Sequence, residues 1–197
     1  MKVDNFELIK DNIHFTKSEG LFLTCLIVAR KKDGNNGGNK CLQMYFINSK
    51  DKLDELRENI IHLCEHYKAR AYVNLSPKSF RKMQAMMLSK LAELNLEGNI
   101  INPMKLVMGT AEKCKSINTK WIIDIDERDI EENIRIWLID RLIPVLLEIP
   151  TRHGKHLITK PFNLKEFNDN FPDVDVHKNS MGTLLYYPES IDQNVLF

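Results

Sequence analysis

The sequence predicts an α+β fold of two lobes: an N-terminal α/β lobe with a β-hairpin over residues 1–118, packed on a C-terminal βαββαβ lobe over residues 119–197, the two forming one compact domain. Three observations carry this. Two apolar runs, "GLFLTCLIVA" and "CLQMYFINS", flank a turn-rich loop; two later stretches repeat apolar residues at helical spacing; and beyond Lys120 short β-branched runs alternate with helical ones. With 197 residues, 43% of them hydrophobic, the chain is long enough to bury such a core.

The first lobe reads in order. The loop "RKKDGNNGGNK" is crowded with Asp-Gly, Asn-Gly and Gly-Gly turn signals, which makes the two apolar runs a hairpin with a basic tip. Ser49 can cap a helix from Lys50 to Tyr67, where Leu53, Leu56, Ile60, Leu63 and Cys64 share one face. "ARAYVNL" is a strand, and "SPKSFRKMQAMMLSKLAEL" a helix with Ser76 at its N-cap and Pro77 in its first turn. A short helix from Met104 to Cys114 crosses to the second lobe.

In the second lobe the expected succession is strand Trp121–Asp126, helix Asp129–Leu142, strand Val145–Ile149, a tight basic turn, strand His156–Lys160, helix Leu164–Asn168 and strand Val174–His177. That is the ferredoxin-like, RRM-like arrangement, in which right-handed crossovers put the first and third strands side by side with the fourth flanking the first. A last strand, "TLLYY", extends this sheet or joins the first lobe.

Composition narrows the function classes. The formal net charge is only +1, so a nucleic-acid partner has to be held by local basic patches. The opening "MKVDNFELIKD" has no apolar core of a secretory signal, and "LFLTCLIVA" is less than half of a bilayer span. The expected location is the cytoplasm, with no membrane partner. Cys25, Cys41, Cys64 and Cys114 form no Cys-x-x-Cys pair and read as reduced, mostly buried thiols.

The chemistry concentrates in the second lobe. Side chains alternate across a strand, so in "WIIDID" Trp121, Ile123 and Ile125 face a core, while Asp124 and Asp126 share the other face at about 7 Å. Paired carboxylates suit a hard cation, magnesium or manganese. An Asp-x-Asp alone is also what a strand ending in a polar turn presents, with Asp126 or Asp129 capping the next helix. The expected topology runs the third strand antiparallel to the first, placing His156 beside the aspartates, and brings Asp173 or, better, Asp175 of "PDVDV" to the same edge. Around them Thr151, Arg152, Lys155 and Lys160 offer donors to a polyanion, with Gly154 allowing close backbone approach. The same turn also reads as an ordinary basic hairpin.

"WIIDID", a helix, "LLEIPTRHGKHLITKPF" and "DVDV", followed by "GTLLYYPESI", resemble in order and spacing the archaeo-eukaryotic primase (primase-polymerase) superfamily, including the polymerase domains of bacterial end-joining ligases. The resemblance covers about Lys120 to Ile191. It implies a nucleotidyltransferase in DNA replication or repair that moves nucleotides from nucleoside triphosphates to a 3′-hydroxyl on single-stranded or primed DNA. It makes Asp124, Asp126 and Asp175 the catalytic ligands of two divalent ions, magnesium or manganese. Thr151, Arg152, Lys155, His156 and Lys160 become nucleotide-binding residues. Thr151 stands where the family has serine, and His153 near the position of a glycine. A separate helicase or ligase would act alongside.

Template contacts are expected from Lys78, Arg81 and Lys82 at a helix start, or from Arg30, Lys31, Lys32 and Lys40 in the hairpin loop, although such charges are more often simply solvated. Tyr45, Tyr72 and Phe80 can stack bases or belong to the core. Two other readings stay open: a rolling-circle nickase using Tyr186 or Tyr187 as nucleophile, and a non-catalytic nucleic-acid-binding relative of primases.

Overall fold

The computed structural model describes residues 1–15, 20–33, 38–98, 102–126, 128–178 and 182–189. It is a mixed α+β structure with two antiparallel sheets and six α-helices among the described residues. The first sheet contains β1 (Val3–Asp4), β2 (Leu21–Ala29), β3 (Lys40–Ile47), β4 (Arg70–Val73), β5 (Lys78–Ser79) and β10 (Thr183–Tyr187), in the order β1-β10-β4-β2-β3, with β5 paired to the start of β2. The second contains β6 (Trp121–Ile125), β7 (Val145–Pro150), β8 (Lys155–Thr159) and β9 (Val176–His177), in the order β7-β8-β6-β9.

The hairpin of β2 and β3 forms as its alternating apolar runs require, although the loop residues 34–37 lie outside the described set. The helix after it, α2 (Lys50–His66), begins where Ser49 Oγ accepts from Lys52 N–H at 3.0 Å, and it buries Leu53, Leu56, Ile60 and Cys64. The next helix, α3 (Phe80–Leu96), starts later than the Ser76-Pro77 signal suggests. Lys78 and Ser79 are held as strand β5 against Phe22 and Leu21, and the Ser76 hydroxyl accepts from Lys120 N–H at 2.9 Å, so Ser79 caps the helix instead. The helix α4 (Pro103–Lys113) carries Pro103 in its first turn. At the start of the chain α1 (Phe6–Asn12) has no counterpart in the sequence reading, yet it buries Phe6 and Ile9.

The first sheet is covered on both faces. Helices α3 and α4 close one face through Phe80, Met83 and Ala111. The other face carries α1, α2 and the second sheet, whose Ile122, Ile149 and Ile158 join the same core as Leu23, Ile27 and Val73. Each large apolar side chain so buried contributes about 1.5–3 kcal/mol. Asn5 clips the lobes together, its amide donating to the carbonyls of Leu184 and Pro150, both at 2.9 Å. Strand β10 lies between β1 and β4, so the segment after residue 119 returns to the first lobe, and both the shared core and this strand cross the division at 118/119.

The opposite face of the second sheet is closed by α5 (Arg128–Asp140) and α6 (Leu164–Asn170). Ile123, Ile125 and Leu157 pack there against Ile134, Trp137, Leu138 and Phe167. Trp137 and Phe167 meet edge to face with centroids 5.2 Å apart, and Phe162 touches both. No described helix is long and apolar enough to cross a membrane.

Candidate active site

Strand β6 sits between β8 and β9, and its register sets the site. Asp124 is directly opposite His156 on β8, and on its other flank its N–H donates to the carbonyl of Asp175 at 2.9 Å. Residues opposite one another across a ladder point to the same face. Asp124 and His156 therefore share the face turned toward the first lobe, while Asp175 lies just before β9 and meets Asp124 through its backbone carbonyl.

His156 is 7% exposed and its ring has two neighbours. Nδ1 lies 2.8 Å from the hydroxyl of Thr183, a fully buried residue of β10, and Nε2 lies 3.4 Å from Oδ1 of Asp124. An ionised carboxylate only accepts, so a proton shared with Asp124 sits on Nε2, and in the tautomer with no proton on Nδ1 that nitrogen accepts from the Thr183 hydroxyl. At 3.4 Å the aspartate contact is longer than a settled hydrogen bond. Asp126 lies one residue past the end of β6 and is exposed, as is Asp175.

The turn between β7 and β8 is built by its own residues. Thr151 N–H donates to the Gly154 carbonyl and Gly154 N–H to the Thr151 hydroxyl, each at 3.0 Å. A Cβ at Gly154 would stand 1.8 Å from the carbonyl oxygen of Ile125 and 2.9 Å from Cα of Asp126. The close approach this glycine permits is thus to the backbone of the aspartate strand itself. Arg152 donates to the Tyr187 hydroxyl at 2.9 Å with its guanidinium 5.3 Å from that ring, and His153 is exposed. Thr151, Arg152, Gly154 and Lys155 line a cleft of about 460 Å³ together with Ile125 and Glu131; Asp124, Asp126, His156 and Asp175 do not line it.

Several expected site residues lie elsewhere. Lys155 is next to His156 on a strand, so alternation turns it to the helix-covered face, where its ammonium meets Glu131 at 2.9 Å and Glu148 at 3.7 Å. Arg135 joins the same two acids at 2.7 Å each. The Lys155 hydrogen bond, assisted by Arg135, holds the Glu131 carboxyl below its ordinary range. Lys160 is exposed just beyond β8, four residues from His156, or about 13 Å along the strand. Lys78 is buried, and its ammonium donates to the carbonyls of Ala111 at 2.6 Å and Glu112 at 3.2 Å; it closes the carboxyl end of α4 and is not open to a template. Arg81 and Lys82 are exposed on α3, which covers the face of the first sheet away from Asp124 and His156. Tyr72 and Phe80 belong to the core.

Both candidate nucleophilic tyrosines are engaged. Tyr186 is fully buried and donates to Glu65 at 2.8 Å; burial and that acid push its pKa up. Tyr187 is 5% exposed beneath Arg152. The cysteines are free, and burial pushes the Cys64 thiol to about 12.

No family model, curated protein or solved structure matches the chain. Among the described residues no three His, Cys, Asp or Glu side chains converge into a metal cage. Magnesium bound with a nucleotide is held by one or two carboxylates, the remaining positions being filled by phosphate and water oxygens. Asp124 is half-buried, and Asp126 and Asp175 are exposed.

Proposed function

We propose that this chain is a small nucleotidyltransferase of the primase-polymerase type, extending a 3′-hydroxyl on a nucleic-acid template from nucleoside triphosphates during DNA replication or repair. One observation supports the reading: Asp124 and His156, from two separate sequence motifs, stand opposite each other on adjacent strands, with the backbone carbonyl of Asp175 bonded to Asp124 N–H. The strand order β7-β8-β6-β9, with two helices on one face, supports treating this part as a ferredoxin-like, RRM-like catalytic lobe.

In the reaction the 3′-oxygen attacks the α-phosphorus, the bond between the α-phosphorus and the α–β bridging oxygen breaks, and pyrophosphate leaves with that electron pair. Asp124 and Asp126 would hold two divalent ions, magnesium or manganese, with Asp175 on the hydroxyl side. The ions, when bound, neutralise the phosphates and acidify the hydroxyl. The chain's own part is positioning. Thr151 and Arg152 would donate to the triphosphate from the turn, and Lys155, which lines the same cleft paired with Glu131, would exchange that acid for a phosphate. His156, held by Thr183 and only loosely by Asp124, can share its Nε2 proton with a phosphate oxygen. Fixed donors aimed at developing charge account for most of such catalysis. A separate helicase or ligase would supply the remaining steps of replication or repair.

The test is incubation with primed and unprimed single-stranded templates, labelled nucleotides and manganese. The proposal predicts label incorporated into the nucleic acid. A covalent tyrosine adduct would mark a nickase, and binding without incorporation a non-catalytic relative; either result overturns the proposal.

A further inference from the structure

The helix α5 ends on a residue that its backbone disfavours. Leu142 N–H donates to the Ile139 carbonyl and Ile143 N–H to the Leu138 carbonyl, each at 2.9 Å, which makes Leu142 the left-handed residue that closes the helix, with φ 55°. Glycine or asparagine normally takes that place, because a leucine Cβ is strained there. The side chain is 91% exposed, so no packing within the chain offsets the strain. It continues a line of exposed aliphatics: Ile136 is 49% and Ile139 70% exposed at three-residue spacing along α5, and Leu146 on β7 is 40% exposed. Arg135, which falls between Ile139 and Leu142 around the helix, reaches Glu148 of β7 at 2.7 Å, so this flank of α5 lies over β7. That strand is the edge of the second sheet, and no described strand pairs with its outer side.

Size and charge select the occupant. Together the four side chains leave about two and a half aliphatic residues' worth of surface in solvent, on the order of 500 Å². A stable homodimer buries roughly 800 Å² per partner, about 65% of it apolar. The patch therefore matches the apolar part of such an interface. Glu132 and Asp140, both exposed, stand one turn on either side of Ile136, and the nearest cations are already paired, Arg135 with Glu131 and Glu148 and Arg141 with Glu166. An acidic rim repels a nucleic-acid strand and an anionic bilayer. Two copies of the chain meet no such long-range barrier, because the formal net charge is only +1.

We propose that two copies of this chain associate about a two-fold axis through the flank formed by Ile136, Ile139, Leu142 and Leu146. A two-fold contact uses the same patch on both copies, so each substitution acts twice. The measurement is sedimentation velocity of the full chain from about 1 to about 100 µM, with wild type, Ile139→Asp and Leu142→Asn. Leu88→Asp on α3 is the control, a leucine 68% exposed on another face. Wild type should sediment as a dimer at the upper concentrations. Ile139→Asp should weaken association at least a hundredfold, because it sets two carboxylates against apolar surface, and Leu142→Asn about tenfold. Leu88→Asp should associate as wild type does. Asparagine tolerates the left-handed backbone, so Leu142→Asn should melt at or above the wild-type temperature at the lowest concentration, which separates lost association from lost folding. Added salt should hold or tighten association, since it screens the two acidic rims from each other. Wild type that stays a monomer at about 100 µM, whatever else this face holds, would overturn the proposal. So would wild-type association by Ile139→Asp, or its loss in Leu88→Asp. The proposal does not rest on the nucleotidyltransferase reading: nucleotide incorporation by a monomeric wild type would keep the enzyme and remove the dimer, and a dimer without incorporation would do the reverse.

Discussion

The two faces of the second sheet divide fold from chemistry. On the helix-covered face Ile123, Ile125 and Leu157 are sealed by Trp137 and Phe167. On the face toward the first lobe the same strands change character along their length: Ile122 and Ile158 lie in the shared core, and two residues further along stand Asp124 and His156. The strand period of two makes this possible, because alternate residues answer to different neighbours. It also teaches where a polar pair can sit. Asp124 is only half-buried where the sheet leaves the shared core, and His156, which is buried, has Thr183 to satisfy it.

Substitutions on each face can break this comparison. The largest stability loss is expected from Phe167→Ala, about 3–5 kcal/mol for a buried aromatic, read by urea denaturation. Incorporation per folded molecule should stay near wild type. Gly154→Ala comes next, at about 1–3 kcal/mol, because the added methyl collides with the Ile125 carbonyl. It should also lower incorporation, since the backbone carrying Asp126 must move aside.

A paired substitution sharpens the contrast. Thr183 and Thr159 are both fully buried, but Thr183 bonds His156 while the Thr159 hydroxyl has no partner among the described residues. Thr183→Val should cost about 1 kcal/mol and slow incorporation; Thr159→Val should leave both stability and incorporation unchanged or improve stability slightly. The smallest effect concerns Glu131. Its folded-state pKa is depressed, so its pairing with Lys155 and Arg135 adds stability above the unfolded carboxylate value and loses it as pH falls through the folded value. Acid titration of wild type should therefore show a decrement, about 1 kcal/mol or less, that Glu131→Gln lacks.

Much of the arrangement was legible in the sequence, for physical reasons that also mark where legibility ended. Helix α2 and the hairpin of β2 and β3 announce themselves through local period, caps and turn residues. The pairing of Asp124 with His156 could be read because alternation and antiparallel pairing together place residues across a sheet. The same rule, applied strictly, would have sent Lys155 to the opposite face, where Glu131 holds it. Long-range pairings were out of reach. Nothing local to "TLLYY" says that it enters the first sheet between β1 and β4, and so nothing pointed to Thr183 as the partner of His156. Lys78 looked like a surface cation at a helix start because its acceptors, the last carbonyls of α4, lie more than 30 residues away.

The central claim is that Asp124 serves chemistry rather than folding. Primer extension in manganese by wild type and Asp124→Asn, at equal folded concentration established by circular dichroism, tests it most directly. The account predicts incorporation by wild type and at least a hundredfold loss in the variant, of the order seen when a key electrostatic group is removed, with little change in melting temperature. Equal incorporation by the two proteins, or none by wild type, would contradict it.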